Sequence, residues 1–390
     1  MPSDISPASS VQLRQAEAIS IAVGGLIALA VSIGIGRFVY TPILPPMVEA
    51  LGLSKSAAGL IASANFLGYL IGALVAALPI LPGSRQSWLL GALLASTVTT
   101  AAMALTQSLA LFLALRFLGG GASAFVLILA SALVLERLFE IGYAGLSSLH
   151  FAGVGIGIAV SAMLVAAMLQ AGGSWQSLWV ASGVLSLLAT FAVALLLRDH
   201  STPRRTTHEH SAQLYSASLI RLIIAYGLVG FGYVITATFL VVIVRGTPTI
   251  RQFEPVIWVV FGLASAPSSA FWARVAVPLG IPRTFALACL TEAAGVAVSV
   301  LWPSKLGVFL AAILVGGTFV SLMALGMVRA RVLAKSDPRR IIAYMTVAFG
   351  LGQIIGPSFA GVVSDQLGSF TVPSIAAAVA LLMAAVLACI

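Results

Sequence analysis

Two arginines, Arg37 and Arg116, stand inside long apolar runs, where side-chain packing alone gives no reason for a charge. An isolated charge at such a depth costs at least a few kcal/mol, so each needs a partner. At 1.5 Å rise per residue, both lie about 10 Å from the same end of their helices, and no acid is expected at that level in the first half of the chain. A planar guanidinium takes a carboxylate or phosphate through two parallel hydrogen bonds, and a weakly polar interior screens that attraction little. An anionic ligand is the expected partner; snorkelling to the interface and bracing of neighbouring helix carbonyls are the alternatives.

Other polar side chains in apolar runs form the rest of the candidate set. Tyr40 follows Arg37 in the same run. Asn65 and Tyr69 are four residues apart and share a helix face, Tyr226 and Tyr233 share one less tightly, and Gln353 stands alone; each could orient a ligand or bond a neighbouring helix. Two groups could carry protons. His150 titrates in the physiological range, and Glu292 lies mid-run, where an ionised carboxylate is costly; the plain readings are a packed histidine and a neutral acid. Glu136, Arg137 and Glu140 are expected to form an interfacial charge network. Asp365 is expected to be solvated, with an external gate as the alternative, and Glu254 to favour a helix N-terminus. Cys289 and Cys389 fall in apolar runs and read as packing residues, and alternating His208 and His210 in a basic stretch read as solvated rather than as metal ligands. No P-loop, catalytic carboxylate pair or nucleophile–base arrangement stands at a recognisable spacing, so neither an enzyme nor a cofactor is expected.

These groups must be held by membrane-spanning helices. The chain of 390 residues is 60% hydrophobic and only 8% charged, far too apolar for a soluble fold. Apolar segments of about 20 residues, long enough to cross roughly 30 Å of hydrocarbon, recur at 19–44, 57–80, 87–105, 109–135, 144–170, 178–197, 218–244, 255–277, 284–301, 306–333, 341–364 and 372–390. Their Gly- and Leu-rich composition suits helices rather than a barrel. The first run is too long for a signal-peptide core, and no cleaved signal is expected.

The net charge of +9 could suggest nucleic acid, but its distribution points to a bilayer. Lys55, Arg245, Arg251 and Lys305 fall on one face and Arg37 and Arg116 inside helices. The remaining fourteen of the twenty basic residues fall on the face that also carries both termini, which the positive-inside bias makes cytoplasmic. The polar stretch with Pro203, Arg204 and Arg205 divides the spans six and six. The expected layout is a cytoplasmic segment 1–18, a bundle 19–197, a linker 198–217 and a bundle 218–390. The halves repeat: Gly34/Gly36 match Gly230/Gly232 at an offset of 196, and Gly119/Gly120 and Gly153/Gly155 match Gly316/Gly317 and Gly350/Gly352 at 197. Both halves start on the same side, so they are parallel repeats, and Tyr233 is the counterpart of Arg37.

This organisation resembles the major facilitator superfamily. More narrowly, Gly36-Arg37-Phe38-Val39-Tyr40-Thr41-Pro42, His150-Phe151-Ala152-Gly153-Val154-Gly155, Tyr226-Gly227-Leu228-Val229-Gly230-Phe231-Gly232-Tyr233 and Gly352-Gln353-Ile354-Ile355-Gly356-Pro357 are similar to the YbfB/YjiJ group of bacterial transporters. The resemblance implies two six-helix bundles around a central cavity that opens alternately to each side, in a bacterial inner membrane. Arg116-Phe117-Leu118-Gly119-Gly120 resembles the fourth-helix motif associated with proton coupling. Two departures stand out: Pro82-Gly83-Ser84-Arg85-Gln86 lacks the acid of the superfamily's cytoplasmic latch, and Gly155-Ile156-Gly157-Ile158 lacks the Gly-Pro of antiporters. The expectation is a monomeric, proton-coupled secondary transporter of a small organic anion. Efflux of amphipathic compounds or a ligand-binding receptor that does not translocate are the alternatives.

Overall fold

The computed structural model describes residues 7–78, 83–197, 216–333 and 338–389. The linker 198–217 with His208 and His210 lies almost wholly outside them, as does part of the 1–18 segment. Among the described residues there is no strand, and eleven helices are long and apolar enough to span a membrane. A twelfth span forms from two helices bent by 44°.

In chain order the helices are α1 (Pro7–Leu29), α2 (Tyr40–Leu51), α3 (Lys55–Ala76), α4 (Arg85–Ala102), α5 (Leu109–Glu140), α6 (Ser147–Gln170), α7 (Trp175–Leu196), α8 (Ala217–Gly246), α9 (Glu254–Ser265), α10 (Ser268–Leu279), α11 (Ile281–Leu301), α12 (Lys305–Leu333), α13 (Pro338–Leu367) and α14 (Thr371–Cys389). α1 and α2 make the first span and α9 and α10 the eighth, the latter bending at Pro267, which cannot continue the helical hydrogen-bond ladder. The first span was expected at 19–44 and runs from Arg14 to Leu51. Pro45 and Pro46 lie inside α2 instead of ending the span, so Arg37 stands near mid-span rather than close to an end.

The bundles form the twofold-related pair that the glycines imply. A Cβ at Gly120 would overlap the carbonyl of Asn65, and one at Gly316 the carbonyl of Phe261. Both pairs are 196 apart, so at this helix the structural offset is 196, one less than the expected 197. Small residues allow such backbone-to-backbone approach where a hydrophobic drive between helices is missing. The bundles meet through α3 with α13 and α6 with α9, again at glycines: Gly59 abuts Pro357, and Gly155 abuts Gly262. Symmetry mates also meet each other. Thr41 donates its hydroxyl to the Ala237 carbonyl (2.8 Å), and Arg245 Nε donates to Glu49 (2.7 Å), so the pseudo-twofold axis passes between α2 and α8.

The polar ends tie the bundles down. At the basic face Arg137 bridges Glu17 and Glu140, and Arg85 pairs with Glu136 (2.7 Å), so the charge expected of Glu136, Arg137 and Glu140 is tied up there with Glu17 and Arg85 added. At the opposite face Asp365 is not simply solvated. Its carboxylate accepts the Lys55 and Ser56 backbone N–H groups (2.9 and 2.8 Å), closing α13 of one half onto the start of α3 in the other. Glu254 opens α9 as expected and pairs with Arg245 (2.9 Å).

Candidate functional site

The first span is interrupted where the site begins. Pro42 has no N–H, so the Phe38 carbonyl loses its usual donor four residues on. Upstream, Ala30–Ile35 is wound as a π-helix: Gly36 N donates to Val31 O (2.8 Å) and Phe38 N to Ile33 O (3.2 Å). Thr41 N then bonds Phe38 O instead of Arg37 O. The break exposes carbonyls in mid-membrane, where no water satisfies them. Side chains do so instead: Arg116 Nη1 donates to Gly36 O (2.8 Å) and Nη2 to Arg37 O (2.9 Å), while Trp258 Nε1, from the other bundle, donates to Phe38 O (3.2 Å). π-Turns of this kind are frequent at functional sites.

Arg116 is thus at the depth of Arg37, as the spacing implied, but its fork already holds helix carbonyls. Asn65 belongs to the same brace, giving its amide N–H to Arg116 O (2.9 Å). Tyr40 packs its ring 5.0 Å from the Arg116 guanidinium and donates its hydroxyl to Ala58 O (2.8 Å). Three of the residues expected to touch a ligand therefore hold the break.

Arg37 differs. It is 4% exposed, its guanidinium lies 4.0 Å from the Tyr69 ring centroid and 5.2 Å from that of Phe66, and among the described residues it forms no ion pair. Its Nε and Nη2 have no hydrogen-bond partner. Those two N–H groups lie on one edge of the guanidinium and are the pair that meets a carboxylate through parallel bonds. Buried donors left unmade cost about 1–3 kcal/mol each, more when charged.

Across from it stands the C-terminal half. Tyr233, the counterpart of Arg37, lies within electrostatic reach of Arg37, Tyr69 and Glu292. Its ring is stacked between Phe319 and Phe349, at 5.5 and 5.7 Å with interplanar angles of 13° and 16°. Gln353 Nε2 donates to the Tyr233 hydroxyl, and Gln353 Oε1 is buried without a partner. Tyr226 leans on Phe349 and donates to Met323 O (3.0 Å). Glu292 is fully buried, with neither carboxyl oxygen hydrogen-bonded. His150 is elsewhere: its Nε2 meets Ser131 Oγ at 3.0 Å and its ring packs against Gly25, about 18 Å along the first span from Arg37 at 1.5 Å per residue.

The structure therefore brings Arg37, Tyr69, Tyr233 and Gln353 together, with Tyr226 and Glu292 at the edge, and separates His150. Sequence reasoning missed Phe66, Phe319 and Phe349, which enclose the cluster, and Trp258. Phe66 could have been found from its position three residues before Tyr69 on the same face; the others carry no polar signal.

A family model described as "Uncharacterised MFS-type transporter YbfB" matches residues 29–389. No curated protein matches the chain. Among solved structures, a mutant of the nucleoside transporter NupG is similar with a TM-score of 0.72 and 14% identity, covering 95% of this chain and 98% of that one. A bacterial homologue of the lysosomal transporter Spinster, in an inward-facing and occupied conformation, gives a TM-score of 0.70 at 14% identity over 96% of each chain. At that identity the two share a fold with this chain.

Proposed function

The chain belongs to the MFS-type transporter family represented by YbfB, and on that premise we propose that it is a secondary active transporter moving a small organic anion together with protons by alternating access. The observation that carries this reading is the buried Arg37 fork, whose two carboxylate-facing nitrogens have no partner. A ligand anion would supply both hydrogen bonds at once. Tyr69 and Phe66 line the guanidinium, and Tyr233 and Gln353 form the neutral wall opposite. Arg116, Asn65 and Tyr40 act as positioning residues that hold the broken helix, and Tyr226 supports Phe349. We assign the coupling proton to Glu292, which lies within electrostatic reach of Tyr233 at the edge of the cluster, in preference to the distant His150 and the engaged Arg116.

The basic face is taken as cytoplasmic, with both termini there, in a bacterial inner membrane; the bundles 19–197 and 218–390, joined by the 198–217 linker, rock against each other, and the working unit is one chain. In proteoliposomes, Arg37→Gln is expected to abolish counterflow of labelled monocarboxylates that the wild type exchanges. Unchanged exchange would remove the central claim. Binding without counterflow in the wild type would make the chain a receptor instead.

A further inference from the structure

Resting on that reading, the neutral wall of the site says what the rest of the ligand carries. Gln353 uses its amide N–H₂ on Tyr233, which leaves Oε1 as an acceptor with no donor, on a side chain that is wholly buried. One turn along α8 from Tyr233, and therefore on nearly the same face, Thr236 is also wholly buried with an unpartnered hydroxyl. Neither group is charged, and the stacked rings of Phe319 and Phe349 fix Tyr233, and through it the Gln353 amide, in place. Arg37, across from them, offers donors alone. Around the cluster the C-terminal bundle thus leaves unmet a neutral acceptor and a hydroxyl, with the Glu292 carboxyl at the edge, and the N-terminal bundle leaves unmet the two Arg37 donors together with Arg116 Nε and Asn65 Oδ1 in the brace beside them.

We propose that the ligand is a hydroxy-carboxylate, its carboxylate on the Arg37 fork and its hydroxyl donating to Gln353 Oε1, with Thr236 as the adjoining hydrogen-bonding group. A carboxylate without the hydroxyl would leave Oε1 buried and unmet, as it is without ligand, and binds more weakly by the cost of that orphan. An ammonium in place of the hydroxyl would lie near the cationic Arg37 and is disfavoured.

The purified full chain in lipid nanodiscs is titrated with three matched pairs: propionate and 2-hydroxypropionate, butyrate and 3-hydroxybutyrate, benzoate and 4-hydroxybenzoate. Wild type, Gln353→Leu and Arg37→Gln are compared. In at least one pair the hydroxy acid should bind about tenfold more tightly than its parent, the typical worth of one buried polar group met or left unmet. That preference should vanish in Gln353→Leu, or in Gln353→Met if the leucine variant does not fold, and Arg37→Gln should bind neither acid. Equal binding of hydroxy and parent acids in every pair, with loss of both in Arg37→Gln, would overturn the hydroxyl assignment and leave the anion reading standing; the amide would then present N–H₂ to the carboxylate. Unchanged acid binding in Arg37→Gln would overturn the anion reading and this inference with it.

Discussion

The two membrane-buried arginines should behave in opposite ways when removed, because Arg116 Nη1 and Nη2 are hydrogen-bonded to helix carbonyls and Arg37 Nε and Nη2 have no partner. In Arg116→Met the carbonyls of Gly36 and Arg37 lose the side-chain donors they have among the described residues, at 2.8 and 2.9 Å. Hydrogen bonds from a charged donor contribute about 1.5–3 kcal/mol each, so the pair amounts to roughly 3–6 kcal/mol before the relief of burying no guanidinium. With an unfolding entropy of about 2.1 cal/mol/K per residue, that corresponds to a fall in Tm of roughly 4–7 °C for a chain of this length. Arg37→Gln removes two unpartnered nitrogens and the contact with Tyr69, the latter about 1–2 kcal/mol, against the relief of an uncompensated charge. Its Tm should stay near the wild type's while anion binding is lost. A thiol-reactive dye reads the transition, since Cys289 is buried and becomes accessible on unfolding, while exposed Cys389 gives a constant background. If Arg116→Met melts with the wild type and Arg37→Gln falls by several degrees, the assignment of brace and ligand arginine is reversed.

Three further outcomes follow from the same contacts. Glu292→Gln should keep counterflow but make uptake indifferent to an imposed proton gradient, whereas His150→Gln should keep the gradient response; proteoliposome uptake at matched and unmatched pH separates them, and a flat response in His150→Gln alone would move the proton to helix α6. Gly59→Val places a side chain against the Pro357 backbone and should wedge the non-basic face open, seen as faster labelling of a cysteine introduced at Ser63, which is buried and bonded to Ile354 O. Asp365→Ala removes two hydrogen bonds to the start of α3 while Ser54 still caps that helix; labelling at the same cysteine should rise with little change in Tm, and labelling at the wild-type rate would mean that Asp365 does not hold the face shut.

The spans were legible because length and apolarity are enough to specify a membrane helix, and the repeat because glycines mark where backbones touch. Arg37 was legible because a lone charge in hydrocarbon demands a partner. What each polar side chain does with its hydrogen bonds was not. Arg37 and Arg116 are the same residue type at the same depth, and only the break in the first span decides that one caps carbonyls and the other does not. That break depends on Pro42 acting together with a π-wound segment and with a tryptophan 220 residues away. Asp365 is exposed as its place at a helix end implies, but that it also accepts two backbone N–H groups shows only once the partner bundle brings the N-terminus of α3 to it.

The crossing of symmetry mates between α2 and α8 has a mechanical consequence. Thr41 with Ala237 and Glu49 with Arg245 mark a line on which each bundle meets its own counterpart, and Arg37 and Tyr233 belong to the same register. Points near a pivot are displaced least when two bodies swing about it. A ligand held at this fulcrum would keep its contacts while the lever arms at either face sweep through their full travel, so the site need not be dismantled for the door behind it to open.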